Sequence, residues 1–193
     1  MSRFPPPDRA RYYRKLTDLT NGKTGDLVAL PPEKALFQID PNDEGRFQRW
    51  SDPAYKTDGW KTILTTQPFY AQGFMSPEGY PYTGYAWYRL ETDVPAKFAG
   101  RPVTFLAPVV ETEAWLWVNG KYVGHRPYKE AYERPNEMEL DVTEAVKPGQ
   151  KNVIVLRVAT GLSRSQAAGG LSARPLLYSP KAAPATAPAA GEK

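Results

Sequence analysis

The sequence predicts an all-β fold, an antiparallel β-sandwich of jelly-roll type. Roughly eight or nine short runs alternate apolar and polar residues between turn signals, the spacing expected of a sandwich. Twenty prolines and fifteen glycines interrupt the chain often, and aromatics reach 12%. Asn119-Gly120 joins the β-rich runs Ala114–Val118 and Lys121–Val123. Asn-Gly is the strongest short hairpin signal, because a type I′ turn needs positive φ at both central residues.

Taken in order, residues 1–32 read as an irregular, basic N-terminal arm. Pro5-Pro6-Pro7 favours polyproline II, and Asp8 caps a short helix over Arg9–Leu16 with Tyr12, Tyr13 and Leu16 apolar. Alone such a helix is too short to persist, so it needs a surface to dock on. The sandwich is expected over residues 33–180. Ala35, Phe37 and Ile39 alternate with Leu36, Gln38 and Asp40, and Lys61–Thr66 forms the next strand. Residues 69–85 form a long aromatic loop, the kind that is functional or pinned to the core. On Gly84–Val94, Ala86, Tyr88 and Leu90 form the inward face. Both faces of Ala114–Val118 are apolar, so this strand is covered on both sides. Glu137–Val142, Asn152–Ala159 and Leu176–Tyr178 complete the strands, and 181–193 is an Ala/Pro-rich, disordered tail.

Composition removes several function classes. The net charge of +4 resides in residues 1–15, where Arg3, Arg9, Arg11, Arg14 and Lys15 outweigh Asp8. The remainder is balanced, which argues against a nucleic-acid partner, since that needs a basic stripe across the fold. With no cysteine there is no disulfide, thiolate nucleophile or zinc–thiolate site. No apolar run is long enough for a transmembrane segment. If Met1 is the native start, its charged first residues are not a signal peptide, and the location of the protein stays open.

Two motif fragments fail on inspection. Asn21-Gly22-Lys23-Thr24 has Thr17 where a phosphate-binding loop needs glycine, and reads as a turn. Asp40-Pro41-Asn42-Asp43-Glu44-Gly45 copies the first half of an EF-hand loop, but Ser51 stands where the bidentate glutamate belongs. An Asx-rich turn is expected there, with a structural calcium as the lesser reading and no other metal or cofactor. His125 is the single histidine, which excludes a catalytic triad or a multi-histidine metal centre. Glu111/Glu113 and Glu137/Glu139 each share a strand face and read as solvated edges.

Five segments together resemble a known family. They are FQIDPNDEGRFQRWSDPAYKTDGWKTI, GYPYTGYAWYRLETDVP, AWLWVNGKYVGH, MELDVTEAVKPGQKNVIVLRV and AGGLSARPLLYSP. In this order they are similar to the sugar-binding jelly-roll domain of family 2 glycoside hydrolases, within the galactose-binding-domain-like superfamily. The resemblance implies that fold, a carbohydrate contact in loops at one end of the sandwich, and frequent extracytoplasmic occurrence. It does not extend to the catalytic (β/α)₈ barrel, so no enzyme activity is expected. The five tryptophans Trp50, Trp60, Trp87, Trp115 and Trp117 fall within the family's structural motifs and read as packing residues.

A sugar site needs an aromatic platform and planar polar groups. Three loops offer them: Tyr70, Gln72, Phe74, Tyr80 and Tyr82; His125, Arg126, Tyr128, Tyr132 and Arg134; and Arg164 with Gln166. Asn119 and Gly120 are structural turn residues. The first functional reading is a non-catalytic carbohydrate-binding module. The second is an assembly subunit docking on a larger protein complex through the sandwich and through Arg3, Arg9, Arg11, Tyr12, Tyr13, Arg14 and Lys15. Peripheral attraction of this arm to an anionic membrane surface is a lesser variant.

Overall fold

The longest strands lie at the centre of the larger of two main sheets. A computed structural model describes residues 7–129, 137–160 and 169–181. Its elements are helix α1 (Pro7–Thr20) and strands β1 (Gly25–Ala29), β2 (Lys34–Asp40), β3 (Lys61–Leu64), β4 (Tyr85–Val94), β5 (Thr104–Ala107) and β6 (Val110–Glu111). They continue with β7 (Glu113–Val118), β8 (Lys121–Arg126), β9 (Met138–Asp141), β10 (Gln150–Ala159), β11 (Gly170–Leu171) and β12 (Leu176–Pro180). The larger sheet has the order β3-β2-β4-β10-β7-β8 and the smaller β1-β12-β5-β9, with β11 and β6 forming a separate pair. All these pairings are antiparallel, giving the sandwich that strand-period alternation predicts.

Ala86, Tyr88 and Leu90 of β4 face the core, as do Ile154, Leu156 and Val158 of β10 and Ala114, Leu116 and Val118 of β7. Val28, Phe105 and Leu177 meet them from the smaller sheet. The opposite parity of the larger sheet is also covered. Trp87, Val155 and Trp117 lie beneath Trp50, Tyr55 and Trp60 from the segment 41–60, which is why both faces of β7 are apolar.

That covering segment hangs on Asp40. Its carboxylate accepts the N–H of Glu44 (2.8 Å), the N–H of Gly45 (3.0 Å) and the indole N–H of Trp87 (2.8 Å). The motif resembling half an EF-hand is therefore a turn closed on the buried Asp40 carboxylate, which lies with Trp87 on the outer face of the larger sheet. Gly45 is fixed by proximity: a Cβ there would lie 2.6 Å from Trp87 Nε1 and 2.7 Å from Trp50 Cε3.

The N-terminal segment is more ordered than its sequence predicts. The helix runs over Pro7–Thr20 in place of Arg9–Leu16, and Tyr12, Leu16 and Leu19 pack on Leu106, Leu176 and Tyr178 from the outer face of the smaller sheet. Arg11 pairs with Glu137 at 2.7 Å and Lys15 with Glu139 at 2.6 Å. The surface that this helix needed for stability is thus the chain's own sandwich. Residues 25–29, within the stretch read as an arm, pair with β12 and supply an edge strand.

Asn119 and Gly120 adopt φ 52° and 80°, as a type I′ turn requires. The Asn119 side chain adds something the turn signal does not contain. It donates to Ala145 O (2.8 Å) and Asn152 Oδ1 (2.7 Å) and accepts from Val153 N–H (3.0 Å). Asn152 is fully buried and also binds the backbone of Lys147 and Gln150, so two amides knot this end of the sandwich.

Two predictions follow from these contacts. Asp40→Ala strands three N–H donors around a buried indole and lowers unfolding free energy by about 3 kcal/mol or more. Chemical denaturation measures it, and a loss below about 1 kcal/mol contradicts the hub role. Burial pushes the Glu139 carboxyl up, but hydrogen bonds from Lys15 and Tyr178 outweigh it and hold its pKa below the ordinary value. A depressed acid stabilises the fold above its unfolded pKa and loses that contribution as pH falls through the folded one. The protection of α1 amides, taken relative to their intrinsic exchange rates, therefore falls as pH drops below about 4, and Glu139→Gln flattens that dependence. A wild-type helix equally protected on both sides of this range contradicts the ion pair's role.

Candidate ligand site at the loop end of the sandwich

Strand register brings the predicted loops to one place. Tyr85 at the start of β4 pairs with Asp40 and with Ala159 at the end of β10. Ala159 pairs with Glu113 at the start of β7, and the adjoining Ala114 pairs with Arg126 at the end of β8. The segments entering β4 and β7 and leaving β8 and β10 consequently share one end of the larger sheet.

On the outer face of that end, four side chains from four neighbouring strands stack in a row. The Arg157 guanidinium lies 3.7 Å from the Tyr85 ring centroid and 4.5 Å from that of Trp115. Trp115 stacks on His125 with centroids 5.0 Å apart and planes 16° from parallel. The Arg157 side chain is only 4% exposed and binds Asp43 Oδ1 at 2.6 Å. Its Nε has no hydrogen-bond partner among the described residues. The His125 Nε2 and Glu113 Oε1 are 2.7 Å apart at the rim. An arginine held between aromatic faces keeps its charge while shedding water, worth about 0.5–2 kcal/mol.

Beneath this row lies a second basic group. Arg126 is 6% exposed and donates one Nη to Val110 O, while its Nε and other Nη have no partner among the described residues. Burial pulls its pKa below the ordinary value, opposed by the carboxylates of Glu111 and Glu113. Thr112 between them has φ 65°, an unusual angle for a β-branched residue, and its hydroxyl donates to Ala159 O. Glu111 is buried and Glu113 half-buried against His125, and Glu137 and Glu139 pair with α1. The expectation that these were two solvated edge pairs is corrected: strand periodicity shows a shared face but not what covers it.

The named candidates divide by role. Tyr70 (38% exposed), Tyr80 (46%) and Tyr128 (46%) present ring surface to solvent. Gln72 holds β3 in place, accepting from Leu64 N–H at 2.7 Å and donating to Leu64 O and Gln67 O. Phe74 packs edge-on to Phe37 with centroids 4.6 Å apart. Tyr82 is buried, donates to Tyr85 O at 2.9 Å, and has its pKa pushed up to about 12, chiefly by burial. Tyr132, Arg134, Arg164 and Gln166 lie outside the described residues, as do Arg3 and the side chain of Arg9. In α1, Arg11 and Lys15 are paired and Tyr12 is buried, whereas Tyr13 and Arg14 are exposed. Sequence reasoning missed Asp43, Tyr85 and Glu113 as site residues, read Trp115 as packing only, and did not place Arg157 beside it. Strand parity alone could have grouped Tyr85 with Trp87, but only register sets Arg157 beside Trp115.

No protein-family model matches this chain, and no curated protein matches it in sequence. Solved structures do. A crystal structure of Ruminococcus gnavus β-glucuronidase matches with a TM-score of 0.66 at 16% identity, covering 82% of this chain and 29% of that one. The same enzyme in complex with uronic deoxynojirimycin gives 0.65 at 16% identity, covering 80% and 29%. A further structure of it gives 0.64 at 17%, covering 80% and 28%. This chain spans less than a third of the length of those enzymes. The likeness is one of fold, and it agrees with the resemblance carried by the sequence motifs: this chain has the β-sandwich architecture found in part of a β-glucuronidase.

Proposed function

We propose that this chain is a non-catalytic β-sandwich module that binds carbohydrate at the loop end. The observation that supports it most is the Tyr85–Arg157–Trp115–His125 row, bordered by Glu113 and entered by loops bearing the exposed Tyr80 and Tyr128. The exposed Tyr80 and Tyr128 rings supply surface for the apolar face of a pyranose, since Arg157 and His125 occupy the faces of Trp115, and the carboxylate and imidazole accept from and donate to its hydroxyls. The non-catalytic reading concerns this module alone, whose described residues form the sandwich and match less than a third of those enzymes.

Docking on a protein complex through the N-terminal segment has less to draw on. Two of that segment's cations are paired within the chain, leaving Tyr13 and Arg14 exposed to serve a partner.

Calorimetry against glucose, galactose, mannose, glucuronate and short glucans tests the carbohydrate reading. The expected affinity is on the order of mM to μM. Tyr128→Ala weakens it by about tenfold, the upper range for one aromatic contact. No heat from any of these sugars at millimolar concentration sinks the proposal.

A further inference from the structure

A second cleft lies away from the loop end, where α1 meets the sandwich. It has a volume of about 230 Å³ and is lined by Tyr12 and Tyr13 of the helix, Glu33 before β2, Thr66 and Gln67 after β3, and Ser172 before β12. Drug-sized pockets begin near about 300 Å³, so this one has room for a single ring.

Its walls come from segments distant in sequence and are fixed to one another. Arg174 donates to Pro31 O at 2.6 Å and Leu30 O at 3.0 Å, joining the β1–β2 connection to the segment before β12. Thr65 donates its N–H and its hydroxyl to Glu33 O at 2.8 Å and 3.0 Å. The Gln72 amide donates to Gln67 O at 2.9 Å, and the pairs Arg11–Glu137 and Lys15–Glu139 hold the helix. A cleft tied on every side loses little freedom when it is filled.

The lining selects a chemical class. The Tyr12 and Tyr13 rings stand 5.3 Å apart at 58°, forming an aromatic corner, and Tyr13 is 60% exposed. Around the corner stand a carboxylate, a carboxamide and hydroxyls, the groups that meet sugar hydroxyls. Glu33 is the one charged residue in the lining, and Arg174 stands behind it with the opposite charge close to Tyr12, so the cleft offers little net charge to an ionic ligand. Burial raises the Tyr12 pKa, with Arg174 and Glu33 both close enough to act on it, so the phenol stays protonated and can donate. We infer that this cleft is a binding site for one neutral pyranose unit. The inference rests on the cleft alone and is independent of the loop-end site.

Heteronuclear NMR of the full chain, titrated with methyl glucoside, methyl galactoside, methyl mannoside, glucuronate and glucosamine, tests it. At least one neutral glycoside is expected to shift the Gln67 side-chain amide and the Tyr13 backbone amide. Tyr13→Ala should weaken that response by about tenfold, and Gln67→Ala should weaken it as well, both leaving signals from Glu113 and His125 unchanged. Glucuronate is expected to leave the cleft signals in place, because the cleft offers little net charge to an ionic ligand. Shifts at Glu113 and His125 without shifts in the cleft would uphold the loop-end proposal and overturn this one. A cleft that answers only to glucosamine, or that responds equally in both variants, also overturns it.

Discussion

The outer cover of the larger sheet depends on one buried carboxylate. Asp40 gathers two backbone N–H groups and the Trp87 indole, which turns the chain back over the sheet and seats Trp50 on Trp87. The far side of the cover is secured by Arg89, which donates to Asp52 O at 2.9 Å and Pro53 O at 2.5 Å. The same turn delivers Asp43 to Arg157 and so fixes the guanidinium between Tyr85 and Trp115. A carboxylate removed from water is expensive unless its lone pairs are met, and here three donors meet them. The ordering of the candidate site is thus inherited from a residue that does not reach it.

Much of the fold was legible because side-chain parity in a strand is a two-residue period that any burial of one face imprints. Ala86, Tyr88 and Leu90, or Ile154, Leu156 and Val158, needed only that rule, and Asn119-Gly120 needed only the φ preferences of two residues. Strand β1 was hidden because it has five residues and follows a helix, and β6 and β11 because two residues carry no period. At the candidate site, His125 and Arg126 could be named from their place after the hairpin. Arg157 beside Trp115 could not, since their adjacency is set by pairing across more than forty residues of chain. Gln72 looked like a sugar-binding amide from its type; its bonds to Leu64 and Gln67 are a matter of tertiary position.

Several departures from local preference lie at the loop end, besides those at Arg49 in the cover and Ser179 in β12. Thr112 adopts a left-handed angle, and Arg126 and Arg157 each bury nitrogens without partners among the described residues. The opposite end, knotted by Asn119 and Asn152, satisfies its buried amides fully. Natural sequences are locally consistent except where a site requires otherwise, and strain persists only when surrounding structure enforces it. The two buried guanidinium groups with unpartnered nitrogens give the loop end polar capacity that a ligand could meet.

Helix α1 on the smaller sheet and the segment 41–60 on the larger turn a two-layer sandwich into four layers. Part of each broad face of the β-structure is thereby covered within the chain, so a flat partner would meet the helix and the segment 41–60 before the strands beneath them. A partner that reaches the covered strands reaches them where these covers stop, at the ends, the edges and the seam beside the helix.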